Sequence, residues 1–540
     1  MRKYLFILFG SILVSSCTQN ELEVRVEQGV LEGVLLPGGI HSFKGIPFAQ
    51  PPVGELRWKA PQAPLEWPGI RKADKFADNA MQKPVFGDMS FRSSGMSEDC
   101  LYLNVWVPAD AKDKKLPVLV YFYGGGFIAG DGSEGRYDGK SLAEKGIITI
   151  TVNYRLGIFG FFSHPELTKE SPDKASGNYG LLDQQAALVW VKKNIAAFGG
   201  NPDKITIAGE SAGSISVSAQ MASPLSRDLI AGAIGQSGAM IKPTLDAIPL
   251  NEAEQHGVEF AQRVKAKSLA DLRAIPAEKL LDEASKPGAF NTRATVDGYF
   301  LPKLPSQIYA AGEQAKIPLL VGWTSTEIPY MAFMQGQYPS PENYKTKVEQ
   351  MFGDKAEEVL KLYPGNTQEE VISSATALAS DNFIVFSTWK WAELHKNTTS
   401  QPTYLYKFAK PRPALRSELG DVTEGLAGGL KEKSEEQKKD TMPAALSGAS
   451  HASDIEYLLG NLDKNESYKW SKEDYKVSEL AEQYIANFII TGNPNGDGLP
   501  QWPVSKAGEN MNIITIDTVT KAAPLSDRAR YIFLNSHYGF

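Results

Sequence analysis

Apolar residues along this chain follow two alternating rhythms. Leu116 to Tyr123 and Ile147 to Tyr154 are near-continuous runs of β-branched, aliphatic and aromatic residues, each bounded by turn-forming segments. Such runs predict strands buried on both faces. Between Gly180 and Phe198 the apolar positions Leu181, Leu182, Ala186, Leu188, Val189, Val191 and Ile195 recur at helical spacing, which predicts a helix. Strands are also predicted at Ile205 to Ala208 and at Ile317 to Val321, and a further helix at Ala212 to Met221. Strands separated by helices imply an α/β fold: a large, mostly parallel central sheet with helices on both faces. In such a sheet the working residues sit at the carboxyl ends of strands.

Two segments depart from this rhythm. Arg2 and Lys3 precede the apolar run Tyr4 to Val14, followed by Ser15, Ser16 and Cys17. A positive start and a short apolar run are marks of an export signal, and the run is too short to span a bilayer comfortably. Val14-Ser15-Ser16-Cys17 resembles a bacterial lipobox. The expectation is a signal peptide over 1–16, a lipidated tether over 17–26 beginning at Cys17, and one domain over 27–540. The protein would be exported and held on a bacterial envelope membrane, on its periplasmic or cell-surface side. An ordinary cleaved signal with an incidental Cys17 is the alternative. The second departure is Lys431 to Asp440, KEKSEEQKKD, with no apolar residue. It reads as a solvated helix or loop, with a mobile flap near His451 as the other reading.

Composition narrows the function. Hydrophobic content of 42% and charged content of 22% are those of an ordinary globular protein. A net charge of −7 gives no electrostatic reason to expect nucleic-acid binding. No repeat, heptad run or zinc-type Cys/His cluster is visible, and neither a metal nor an organic cofactor is expected. With Cys17 lipidated, Cys100 has no partner in the chain and is expected as a small buried apolar residue.

The chemistry is concentrated in four places. Gly209-Glu210-Ser211-Ala212-Gly213 stands between a predicted strand and a predicted helix. There its glycines permit a sharp turn that exposes the Ser211 hydroxyl as a nucleophile. Gly124-Gly125-Gly126-Phe127 follows the strand ending at Tyr123. Consecutive glycines let backbone N–H groups approach an oxyanion, and Gly125, Gly126 and Ala212 are the expected donors. Of six histidines, His451 stands out among the small residues Gly448-Ala449-Ser450 and Ala452-Ser453. An acid should lie between Ser211 and His451 to hold the imidazole. Glu327, just past a strand end, suits that place, with Asp297 and Asp454 as competitors that spacing alone does not exclude.

Longer motifs reach a family. Phe43-Lys44-Gly45-Ile46-Pro47-Phe48-Ala49, Leu56-Arg57-Trp58, Ser97 to Val105, the glycine triplet, Asn153 to Gly157, Asn178 to Gln184, Gly209 to Gly213, Gln236-Ser237-Gly238 and Val296-Asp297-Gly298 stand in one order along the chain. In them the chain resembles the type B carboxylesterases, the branch of the α/β-hydrolase fold that includes para-nitrobenzyl esterases and cholinesterases. The resemblance implies Glu327 as the triad carboxylate. It also implies Glu210 as a buried glutamate beside the nucleophile, Ser237 and Asp454 as a polar network behind the histidine, and Arg57–Glu98 and Arg155–Asp183 as structural ion pairs. Two departures stand out. Tyr123 replaces the histidine many members carry before the triplet. The partner of the family's first disulfide is missing near Asp78 to Gln82, and no choline-binding loop is visible, so acetylcholine is not expected as a substrate.

The resulting expectation is a serine ester hydrolase working through an acyl-enzyme on a small-molecule ester. Activity should decline below about pH 6.5 as an unperturbed histidine gains its proton. The alternatives are a non-catalytic cholinesterase-like binding module, or an acyltransferase or thioesterase using the same triad. Phe127, Trp323, Tyr330, Phe333 and Phe383 are candidate walls for an apolar or aromatic ester. Ser211 and His451 are far apart in sequence yet must touch, which requires one large domain and not several of average size.

Overall fold

In the computed structural model, which describes residues 21–87, 89–433 and 442–540, an 11-stranded sheet organises the chain. Its strands are β1 (Val34–Leu36), β2 (Ile40–Pro47), β3 (Tyr102–Pro108), β4 (Leu116–Phe122), β5 (Ile148–Val152), β6 (Gly200–Glu210), β7 (Gly232–Gln236), β8 (Leu319–Thr324), β9 (Thr403–Phe408), β10 (Asn512–Ile516) and β11 (Lys521–Pro524). They lie in the order β11-β10-β9-β8-β7-β6-β4-β5-β3-β2-β1. From β10 across to β5 every neighbouring pair is parallel. The remaining pairs, at the two edges, are antiparallel. The expected mostly parallel sheet is therefore found.

Its inner strands are apolar at successive positions because both faces are covered. Every residue of β5, β7 and β8 is buried. Helices α1 (Tyr179–Asn194), α2 (Ala212–Ala222), α4 (Phe386–Thr398) and α5 (Lys472–Thr491) pack on it, while α3 (Gln368–Ser380) leads into α4 and α6 (Arg528–Tyr538) packs on α4. The helix expected over Gly180 to Phe198 is α1 followed by a 3₁₀ turn, Ile195–Phe198, closed by Gly199 at φ 84°. Strand β8 runs on through Gly322-Trp323 to Thr324, past the expected end at Val321. Cys100 is buried, as expected, and makes no disulfide among the described residues.

Two expectations need correction. Glu23–Val26, placed in the tether, forms an antiparallel hairpin with Gly29–Glu32, and the Glu27 N–H donates to Asn194 Oδ1 at 2.9 Å. Alternating Val24 and Val26 give this segment a face to bury, so folded structure begins inside the span read as linker. The signal peptide and Cys17 lie outside the described residues. In the charged stretch, Lys431 and Glu432 belong to a short strand, Leu430–Glu432, paired with Val422–Glu424, and not to a helix or open loop. Residues 434–441 lie outside the described residues.

One buried ion pair fastens the sheet to its helices. Arg155, just past β5, donates from its backbone N–H and Nε to Asp183 Oδ2 at 3.0 and 2.8 Å, and from Nη2 to Oδ1 at 2.7 Å. Asp183 is fully buried on α1. Removing one partner would strand the other charge without water. Asp183→Ala should lower unfolding stability by about 3–5 kcal/mol, measured by urea denaturation; an unchanged midpoint would show that the pair fastens nothing.

Candidate active site

Four neighbouring strands deliver the predicted groups to one edge of the sheet. The glycine triplet follows β4, Ser211 follows β6, Ser237 follows β7 and Glu327 comes three residues after β8. Parallel strands bring their carboxyl ends together, so segments far apart in sequence meet.

The turn at Ser211 is tight for a steric reason. Ser211 adopts φ 53°, ψ −121°, a conformation that L-residues rarely occupy. Its N–H donates to the Gln236 carbonyl at 2.9 Å, and its own carbonyl accepts from the Ile215 N–H at 2.9 Å, the first bond of α2. A Cβ on Gly213 would lie 2.0 Å from the carbonyl oxygen of Phe122, so helix and strand end could not come this close with any side chain there. Gly125, at φ 106°, is equally constrained, because a Cβ would meet the Ala129 carbonyl oxygen at 2.2 Å. Among the described residues no protein acceptor takes the N–H groups of Gly125, Gly126 or Ala212. These donors are left for something else.

His451 joins the groups. Its Nε2 is 3.0 Å from Ser211 Oγ and its Nδ1 is 2.6 Å from Glu327 Oε2. Glu327 Oε1 in turn accepts from Ser237 Oγ and from the Thr324 N–H, both at 2.7 Å. The histidine is held by its loop, not by a long element. Ser450 bridges Thr326 in a β-like contact, and the Ala449 carbonyl accepts from the Thr326 N–H at 2.9 Å. Arg412 and Arg136 both donate to the Ala452 carbonyl. Serine, imidazole and carboxylate in this order can move a proton off the hydroxyl and stabilise the resulting imidazolium.

Of the competing acids, Asp297 accepts from the Tyr299 and Leu301 N–H groups and from Asn178, and does not reach His451. Asp454 accepts from Tyr406 Oη at 2.8 Å and Gln236 Nε2 at 3.3 Å, behind the histidine. Ser237 and Asp454 are both buried polar groups here, but only Ser237 touches the carboxylate. Sequence reading gave no role to Gln236, Tyr406 or Ser450. Gln236 could have been found as the last residue of a strand beside the elbow; Tyr406 carried no local signal.

Glu210 is the second carboxylate at the imidazole. Its Oε1 lies 3.2 Å from Nε2, although it is not aligned to accept a hydrogen bond there. Burial pushes Glu210 up to about 8, and the nearby His451 opposes that rise. Burial by itself lowers His451, but Glu210, Glu327 and the hydrogen bond to Glu327 outweigh it and raise the imidazole to about 9. Burial also lifts Asp454 to about 6. No group of three or more His, Cys, Asp or Glu among the described residues is placed to hold a metal ion.

The five candidate wall residues divide. Phe383 is partly exposed, and its ring stands edge-on to His451 with centroids 5.1 Å apart. The other four belong to the core. Trp323 packs on Tyr531, Phe333 on Tyr344 and Phe127 on Phe161, and Tyr330 is fully buried with its hydroxyl donating to the Pro443 carbonyl. Aromatic identity marks a need for burial and does not say which side is buried. Phe86, which carried no signal, approaches within 3.8 Å of the place a Cβ on Gly126 would occupy, beside the exposed Ile128.

The carboxylesterase family model matches residues 20–532. The chain is 35% identical to the fumonisin B1 esterase of Sphingopyxis macrogoltabida, over 93% of this chain and 88% of that protein. It is 31% identical to the para-nitrobenzyl esterase of Bacillus subtilis, over 94% and 98%, and 32% identical to the human cocaine esterase, over 86% and 82%. A solved PNB esterase structure superposes with a TM-score of 0.77 at 29% identity, over 95% of this chain and 99% of that one.

The electrostatics generate a direct test. Since ionised Glu210 favours imidazolium, Glu210→Gln should move the His451 titration midpoint to lower pH, read by NMR of the imidazole C–H signals. A midpoint that stays in place would mean that Glu210 does not act on the ring.

Proposed function

This chain belongs to the carboxylesterase family, its chemistry is serine carboxylic-ester hydrolysis on an α/β-hydrolase fold, and we propose that the acyl-enzyme forms on Ser211. The observation that carries this assignment is the relay Glu327–His451–Ser211, with contacts of 2.6 and 3.0 Å between residues from three separate segments. His451 Nε2 takes the proton of Ser211 as Oγ attacks the ester carbonyl carbon. Glu327 holds Nδ1–H and offsets the positive charge on the ring. The carbonyl oxygen becomes an oxyanion facing the N–H groups of Gly125, Gly126 and Ala212; a donor of this kind contributes about 10²–10³ in rate. The tetrahedral intermediate collapses, and His451 protonates the departing alcohol. Water, activated by the same imidazole, then releases the acid and restores Ser211.

The substrate is a small or medium ester with an apolar or aromatic group. Support comes from Phe383 beside the imidazole and from Ile128 and Phe86 beside the triplet. The relatives are named for chemically different esters, so the family does not choose among them. No helix among the described residues is long and apolar enough to cross a membrane. We assign membrane attachment instead to a lipid on Cys17, each buried CH₂ contributing about 0.8 kcal/mol. Intact mass of detergent-extracted protein should show a diacylated or triacylated Cys17; an unmodified mature start removes the anchor.

Ser211→Ala should reduce hydrolysis of para-nitrophenyl acetate by about 10⁴-fold or more, and retained turnover would overturn the assignment. The pH profile follows from the upward shift of His451. The free base exists only above the imidazole's own pKa, so kcat/KM should rise with pH through that midpoint. The midpoint should lie above the unperturbed value of about 6.5 that the sequence alone suggests. An acid limb at or below 6.5 would contradict the raised imidazole.

A further inference from the structure

Helices α3 and α4 are joined by a π-helical turn, Asp381–Val385, in which the Phe386 N–H donates to the Asp381 carbonyl five residues back. Such a turn fits one extra residue into the helix and redirects the side chains it carries. Phe383, at its centre, is the residue whose ring packs at a steep angle against His451.

Elements outside the helix hold this turn at each of its first three residues. Tyr363 Oη donates to Asp381 Oδ2 at 2.8 Å. Tyr538 Oη, at the end of α6, donates to Asn382 Oδ1. Thr244 Oγ1 donates to the Phe383 carbonyl at 2.6 Å. The Phe386 ring packs on Tyr538 at 5.4 Å, which seats α6 against the turn. A π turn closes its hydrogen bonds over five residues in place of the four of an α-helix, and the three external donors add to these bonds in fixing where it rests. None of the three donors touches Ser211, His451 or Glu327 in the contacts described above.

We propose that Tyr538 and Thr244 are specificity-determining positioning residues: they lock the π turn that aims Phe383 at His451, and the locked ring limits the bulk of the ester group admitted there. The proposal rests on Ser211 and His451 being the reaction centre. In chemical terms the site then favours esters that are small on the side facing Phe383. Loosening the lock lets the ring yield and admits bulkier groups.

The test compares para-nitrophenyl benzoate with para-nitrophenyl acetate on the same enzyme preparation. The ratio of their kcat/KM values does not depend on the fraction folded, so a merely destabilised variant leaves it unchanged. Phe383→Ala should raise the benzoate-to-acetate ratio by at least about five-fold, within the range that one pocket contact controls. Tyr538→Phe and Thr244→Val should move the ratio in the same direction. Asn382→Ala, which removes the acceptor, should reproduce Tyr538→Phe without adding to it in the double variant. A ratio that responds to Phe383→Ala but to neither Tyr538→Phe nor Thr244→Val overturns the lock. A ratio unmoved by Phe383→Ala overturns Phe383 as the limiting wall, while loss of turnover in Ser211→Ala leaves the hydrolase reading standing. Full turnover in Ser211→Ala would instead remove the reaction centre on which the proposal rests.

Discussion

The site depends on one close approach of backbone to backbone. Helix α2 leaves β6 so sharply that the Cα of Gly213 lies against the carbonyl of Phe122 at the end of β4. This contact holds Ser211 in a conformation with φ 53° and brings the glycine triplet alongside the elbow. A strained residue persists only where its surroundings over-determine it. Here the Ser211 N–H bonded to Gln236, the first turn of α2 and the buried end of β4 all do so. With the elbow fixed, the Ala212 N–H and those of Gly125 and Gly126 have no acceptor among the described residues, and the position of Oγ is set before any ester arrives.

The other half of the site is held by charge. His451 sits on a loop with no regular element to orient it, so ion pairs and backbone contacts take that role. Arg412 bonds both oxygens of Glu456 and reaches Glu424, and Glu424 accepts from Ser450, next to the histidine. Arg136, paired with Glu134, reaches the same loop at Ala452 and the Val422–Glu432 hairpin at Ala427. Buried charges of this kind are costly when broken and contribute little net stability when intact. Their value here lies in geometry, because an imidazole between Ser211 and Glu327 must be correct to a fraction of an ångström.

Phe383 shows the same division of labour at longer range. Its ring borders the reaction centre, but its placement is decided by a π turn held from the last helix and from the segment carrying Thr244. Elements remote in sequence thereby acquire a say in which esters are accepted. The fold can then keep the elbow and relay constant while selectivity changes through contacts outside them.

The strands at Leu116 and Ile147, the helix after Gly180 and the elbow at Gly209 to Gly213 were all legible in the chain, because local periodicity and glycine placement are properties of short segments. The order of serine, glutamate and histidine was legible as well, with the choice of Glu327 over Asp297 and Asp454 resting on family resemblance. Four of the five candidate wall residues lie in the core, and Trp323, Tyr330, Phe333 and Phe127 look no different from Phe383 until burial is known. The tether to Val26 and the character of Lys431–Glu432 were misjudged for a related reason: pairing partners lie elsewhere in the chain. The sequence by itself determined the strand and helix periods, the elbow and the residue types available for acyl transfer. Only the tertiary structure decided which carboxylate holds His451, why that imidazole is shifted upward and which aromatic ring faces it, because distance, burial and charge proximity arise when segments far apart in sequence meet.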